Sequence, residues 1–79
     1  MLDDIMDNGN EVRSLQQLRR VYGYSQSMLA MRSGVNLRTL QQYESGAKDI
    51  NKASISTLKA LADTLGVTME DLMEPASRN

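Results

Sequence analysis

The sequence predicts a compact all-α domain of five helices, and three observations carry that prediction. The first is a helix-start device used repeatedly: a polar N-cap, preceded by an apolar residue that can staple onto another four places beyond the cap. The flanking pairs are Tyr24 and Leu29 around Ser25, Val35 and Leu40 around Asn36, and Val67 and Leu72 around Thr68. The second is a glycine near each expected helix end, at Gly23, Gly34, Gly46 and Gly66, where a left-handed C′ residue stops a helix. The third is apolar spacing that supplies a core at helical intervals and no strand.

Taken in order, Ser14 opens the first helix, with Gln17 three places on to complete a capping box, and the helix runs over 14–22. The second covers 26–32 after Ser25, and the third covers 37–45 after Asn36. The fourth is expected over 52–65 with Asn51 as its cap. The fifth covers 69–74, with Thr68 as cap and Asp71 as the third-residue partner, and is closed by Pro75, the sole proline. The core is expected from Leu15, Leu18, Tyr22, Leu29, Met31, Val35, Leu40, Tyr43, Ile55, Leu58, Leu61, Leu65, Val67, Leu72 and Met73. Methionines 28, 31, 69 and 73 read as core filler. Residues 1–12 read as a flexible acidic tail, 13–74 as the folded domain and 75–79 as a second tail.

Composition bounds what such a domain can do. Seventy-nine residues make a core too small for a deep active-site cavity. With no cysteine and no histidine, disulfides, thiolate zinc sites and Ser-His-Asp or Cys-His chemistry are excluded, and only carboxylates remain as metal ligands. The expectation is no enzyme, no cofactor and no metal site. The start, MLDDIMDNGNE, lacks the basic and apolar run of a secretion signal, and no segment approaches the ~20 apolar residues of a membrane span. A soluble, cytoplasmic protein with no membrane association is expected.

Net charge is −1, but it is unevenly distributed. Residues 12–60 hold Arg13, Arg19, Arg20, Arg32, Arg38, Lys48, Lys52 and Lys59 against Glu44 and Asp49, eight basic residues to two acidic, a local balance of +6. The other acids sit at the two ends: Asp3, Asp4, Asp7 and Glu11 before this block, and Asp63, Glu70, Asp71 and Glu74 after it. A basic block of this kind suits a polyanionic partner.

Within that block, residues 25–46 read as a helix-turn-helix. At about 100° per residue, Leu40 sets the inward direction of the second of these helices, flanked by Tyr43 and Glu44 with Leu37 nearby. Arg38 and Gln42 point away from it, with Gln41 and Thr39 on the shoulders. Arginine can make a bidentate contact to guanine O6 and N7, and glutamine to adenine N6 and N7, so this face suits reading of the DNA major groove. Leu37 would add an apolar touch to a thymine methyl.

The pattern Ser25-Gln26-x-x-Leu29-Ala30-x-x-Ser33-Gly34-Val35-x-x-x-x-Leu40-x-x-Tyr43-Glu44-x-Gly46 resembles the phage repressor and Cro-type helix-turn-helix family of bacterial and phage regulators, the XRE-like proteins. The likeness extends loosely from Leu15 to about Met73. It implies a five-helix repressor-like fold and symmetric dimers on palindromic operators. It also implies roles: Gln26 as a phosphate contact that buttresses the reading helix, Asn36 as a phosphate contact, and Leu37, Arg38, Gln41 and Gln42 as base-reading positions, to which Thr39 on the outward shoulder is added as a fifth expected reader. Ser25, Lys48, Asn51 and Lys52 are the remaining candidates for the DNA backbone. Glu44 matches an acid that pairs with an arginine of the first helix, here Arg19, and an inward carboxylate demands such a partner.

The chain departs from the family pattern between Gly46 and Gly66, where the usual proline-bearing basic loop is replaced by Ala47-Lys48-Asp49-Ile50-Asn51-Lys52 and the spacing is longer by about one helical turn. The expected function is a sequence-specific double-stranded DNA-binding transcriptional regulator, a repressor or autoregulator acting as a homodimer. The alternative is an antitoxin-type module that binds a toxin partner and uses DNA binding for autoregulation.

Overall fold

The computed structural model describes residues 14–74. They form α1 (Ser14–Val21), α2 (Gln26–Ser33), α3 (Leu37–Ser45), a single 3₁₀ turn (Ile50–Lys52), α4 (Ile55–Leu65) and α5 (Met69–Leu72), with no strand among the described residues. The tails at 1–12 and 75–79, Arg13, and the closing role of Pro75 lie outside the described residues.

Each helix contributes one leucine to the centre: Leu15, Leu29, Leu40, Leu61 and Leu72 are all less than 2% exposed. Ala30, Tyr43, Ile50, Leu58, Ala62 and Leu65 complete the buried core, and Leu18, Tyr24, Val35, Ala53, Val67 and Met69 pack on its edge. Burying a leucine side chain stabilises by about 1.5–3 kcal/mol, so the five central leucines form the largest common term holding the helices together.

Four residues expected inside are exposed: Tyr22, Met31, Ile55 and Met73. Met31 is 75% exposed because α2 turns only Leu29 and Ala30 fully inward. Ile55 falls on the stripe of Leu58, Leu61, Ala62 and Leu65, but as the first residue of α4 it overhangs the core and is 67% exposed. Of the four methionines read as filler, Met69 alone packs on the core, while Met28, Met31 and Met73 are exposed.

The caps decide where the helices start. Ser25 accepts from the Met28 N–H at 3.0 Å, and Asn36 Oδ1 accepts from the N–H groups of Arg38 and Thr39 at 2.9 and 3.2 Å. Thr68 and Asp71 form a reciprocal capping box. The start of α1 is held differently. Ser14 is itself helical, and its N–H donates to the Glu74 carboxylate at 2.7 Å, so the cap comes from across the fold instead of from Ser14 and Gln17. A carboxylate there also meets the positive end of the helix dipole.

The fourth helix begins later than the sequence suggested, and Asn51 does not cap it. Asp49 caps the 3₁₀ turn by accepting from the Asn51 N–H at 2.9 Å, Ala53 is extended, and Ser54 caps α4 by accepting from the Thr57 N–H at 3.2 Å. The Asn51 carboxamide is engaged elsewhere, with the backbone of Glu74. The added length after Gly46 is therefore taken up by a 3₁₀ turn anchored by Ile50, which is only 3% exposed, and α4 itself is not extended.

Candidate nucleic-acid interface

Between α2 and α3 the chain turns on Gly34, whose left-handed φ of 79° lets its N–H reach the Ala30 carbonyl at 2.9 Å. Val35 packs on the core edge, Asn36 caps α3, and α3 leaves at once. A three-residue connection of this kind fixes the angle between the two helices and presents α3 as a unit.

Leu40, Tyr43 and Glu44 are the buried residues of α3. Arg38 and Gln41 are exposed, Leu37 is 37% exposed, and Gln42 and Thr39 are half-buried. The two shoulders of the outward face have different neighbours. On one side Gln41 Nε2 donates to Gln26 Oε1 of α2 at 3.4 Å. On the other, Thr39 borders an open cleft of about 320 Å³ together with Asn36 and, from α4, Ser56, Thr57 and Ala60. Thr39 thus lies toward α4, to one side of Arg38 on the outward face.

The base of α3 is locked by a buried ion pair. Arg19 Nε and Nη2 donate to the two carboxylate oxygens of Glu44 at 2.7 and 3.0 Å, a two-pronged geometry that suits the guanidinium fork. A third donor, Nη1, reaches the Tyr24 carbonyl at 2.8 Å. The Glu44 side chain is 2% exposed and that of Arg19 10%, so the pair joins α1, the start of α2 and α3 largely out of water. Gln26 Nε2 also donates to Glu44 Oε1, at 3.0 Å, which places Gln26 between the ion pair and the outward face.

Tyr24 serves as packing. Its hydroxyl donates to the Thr64 carbonyl at 3.3 Å and the Arg32 guanidinium sits 5.7 Å from its ring centroid. The segment after α3 is held by the Lys48 N–H, which donates to the Gln42 carbonyl at 3.1 Å, and the side chains of Lys48 and Lys52 are exposed. Asn51, grouped with them from sequence, is half-buried, with its carboxamide oxygen and nitrogen both bonded to Glu74. Its amide is part of the fold's own bonding, which separates it from the two lysines.

Sequence reasoning passed over the hydroxyl cluster at the start of α4. Ser54 Oγ lies 3.1 Å from Ser56 Oγ and donates to Thr57 Oγ1 at 3.0 Å, beside the cleft. The signal was available: Ala53 and Leu58 flank Ser54 as the other apolar pairs flank their caps, and a small alanine in the leading position hid it.

A family model described as Helix-turn-helix matches residues 15–72, and the chain belongs to that family. Among solved structures, the N-terminal DNA binding domain of SinR from Bacillus subtilis is 28% identical with a TM-score of 0.69, and the match covers 81% of this chain and 90% of that chain. No curated protein matches the chain. Family and fold together define an XRE-like, DNA-binding regulator of transcription, a non-enzymatic kind of protein, as the phage repressor-like pattern implied. Among the described residues, no helix is long and apolar enough to cross a membrane.

Proposed function

We propose that the chain is a repressor or autoregulator that binds a palindromic operator in double-stranded DNA as a homodimer. The observation that carries this reading is the polarity of α3: Leu40, Tyr43 and Glu44 fix one side in the core, while Arg38 and Gln41 stand exposed on the other with Gln42 and Leu37 beside them. These four read base edges. Ser25, Gln26, Asn36, Lys48 and Lys52 hold the DNA backbone, and Thr39 supports the face from its position toward α4. The exposed lysines supply the charge that neutralises phosphates, and each phosphate neutralised adds about 0.9 to the salt slope of binding to B-DNA. On this reading the protein acts by occupying its site. The test is selection of bound sequences from a random duplex pool. The expected product is an inverted repeat whose half-sites are centred about 10–10.5 base pairs apart, or a multiple of that, as two recognition helices on one face of the duplex require. A pool that remains unenriched would overturn the reading.

A further inference from the structure

The buried ion pair does more than hold α3 in place. We infer that it fixes which end of the Gln41 carboxamide faces the base pairs, and so makes Gln41 a reader of amino-bearing bases. This rests on the proposed reading of α3 as the helix that enters the groove.

The chain of constraint begins at Glu44. Its two carboxylate oxygens accept from Arg19 at 2.7 and 3.0 Å, and a carboxylate so paired offers only acceptors to anything else that approaches. The Gln26 atom 3.0 Å from Glu44 Oε1 must therefore be the amide nitrogen. Turning that amide over would set two acceptors against each other in a part-buried place. With one of its two amide protons committed to Glu44, Gln26 turns its oxygen toward Gln41 and keeps a second N–H for the DNA backbone, and the Gln41 atom 3.4 Å from that oxygen is a nitrogen. The Gln41 oxygen is left at the free end of the exposed side chain. Three side chains in series thus carry a polarity from the core to the surface. The last link is the longest and lies in solvent in the free protein, but docking a duplex against α3 removes that water, and an amide hydrogen bond strengthens in the drier setting.

A glutamine free to rotate presents a donor or an acceptor as the base demands. Gln41 with its oxygen forward accepts from the N6 amino group of adenine or the N4 amino group of cytosine, and meets guanine O6 or thymine O4 with acceptor facing acceptor. The consequence is a preference for amino over keto bases on the contacted strand, at one position per half-site.

The experiment has two parts. In the free protein, NMR should show cross-relaxation between the Gln26 side-chain amide protons and the Arg19 Nη2 protons, which share Glu44 Oε1, and between the Gln41 amide protons and Gln26. Absence of these cross-peaks overturns the inference whatever the protein binds. In the selected duplex, the position whose preference disappears in Gln41→Ala identifies the base that Gln41 faces, and the four bases are compared there. Wild type should favour adenine and cytosine over guanine and thymine by about tenfold or more on the contacted strand, corresponding to one well-made hydrogen-bonded pairing. Gln26→Leu, read as a ratio between bases because Gln26 also grips the backbone, should collapse that preference to within about threefold and leave the preference at the Arg38 position intact. A keto preference in wild type, or an unchanged ratio in Gln26→Leu, overturns the inference. Failure of every position to show a preference would instead count against the function proposed above, with the NMR cross-peaks still deciding the polarity.

Discussion

Asn51 and Glu74 exchange two hydrogen bonds: Asn51 Nδ2 donates to the Glu74 carbonyl at 3.0 Å, and the Glu74 N–H donates to Asn51 Oδ1 at 2.8 Å. A side-chain amide has taken the part of a peptide group, tying the 3₁₀ turn to the chain just after α5. Asn51→Ala removes both bonds and leaves part-buried backbone groups unpaired, so it should destabilise by about 1–3 kcal/mol in urea unfolding. Asn51→Asp keeps the acceptor but loses the donor, and should fall between wild type and alanine at best. If alanine proves as stable as wild type, water replaces the side chain without cost and the clasp is incidental.

The Arg19 and Glu44 pair makes a prediction of the opposite kind. Breaking it by Glu44→Ala leaves a buried guanidinium without its carboxylate, a change that costs about 3–5 kcal/mol in comparable sites. Replacing both partners by Arg19→Met with Glu44→Leu removes both charges together and should recover much of the loss. The two single variants and the double variant, compared by thermal melting, give the coupling directly. A double variant less stable than Glu44→Leu alone would show that the third bond, from Arg19 to the Tyr24 carbonyl, outweighs the relief of the unpaired charge.

Gly34 is a cleaner test of backbone geometry. Its φ is +79°, yet a Cβ built there meets nothing within 4 Å. The cost of Gly34→Ala is therefore conformational alone, about 1–2 kcal/mol, with the fold retained. A loss far beyond that range would mean that the turn cannot relax and that α3 moves.

Two groups of surface residues should separate in DNA binding. Arg38→Ala should change the preferred base at one position of the site, with a loss of about 1–3 kcal/mol there and little elsewhere. Lys48→Ala and Lys52→Ala should weaken binding to all duplexes alike and flatten the salt slope by about 0.9 for each phosphate no longer neutralised. Titrations of a preferred and a scrambled duplex over a range of salt read both quantities. Uniform loss from all three variants would erase the division of labour.

Much of this architecture could be read from the residues because it is written locally. A cap and its staple need only a handful of neighbouring positions, so Ser25, Asn36 and Thr68 announced their helices, and Gly34, Gly46 and Gly66 their ends. The inward carboxylate of Glu44 likewise demanded a cation, and Arg19 supplies it. What stayed hidden depends on partners distant in sequence. Asn51 has the residue type of a cap, and only Glu74, 23 residues away, diverts it. Ile55 and Met31 have the right type and spacing for a core, but burial also depends on where the neighbouring helices end. The orientation of Gln41 is hidden for the same reason, since it follows from Gln26 and Glu44 on two different helices.

The bond from the Ser14 N–H to the Glu74 carboxylate brings the first and last described residues together. Topologically the domain is therefore nearly a ring. A short linker joining these two points would add little strain, and the chain could be reopened at an exposed connection with its leucine core still able to assemble. Such a permuted chain would fold with its element order rearranged, and comparing its folding rate with the native order would reveal whether the packing of α1 against α5 forms early or late.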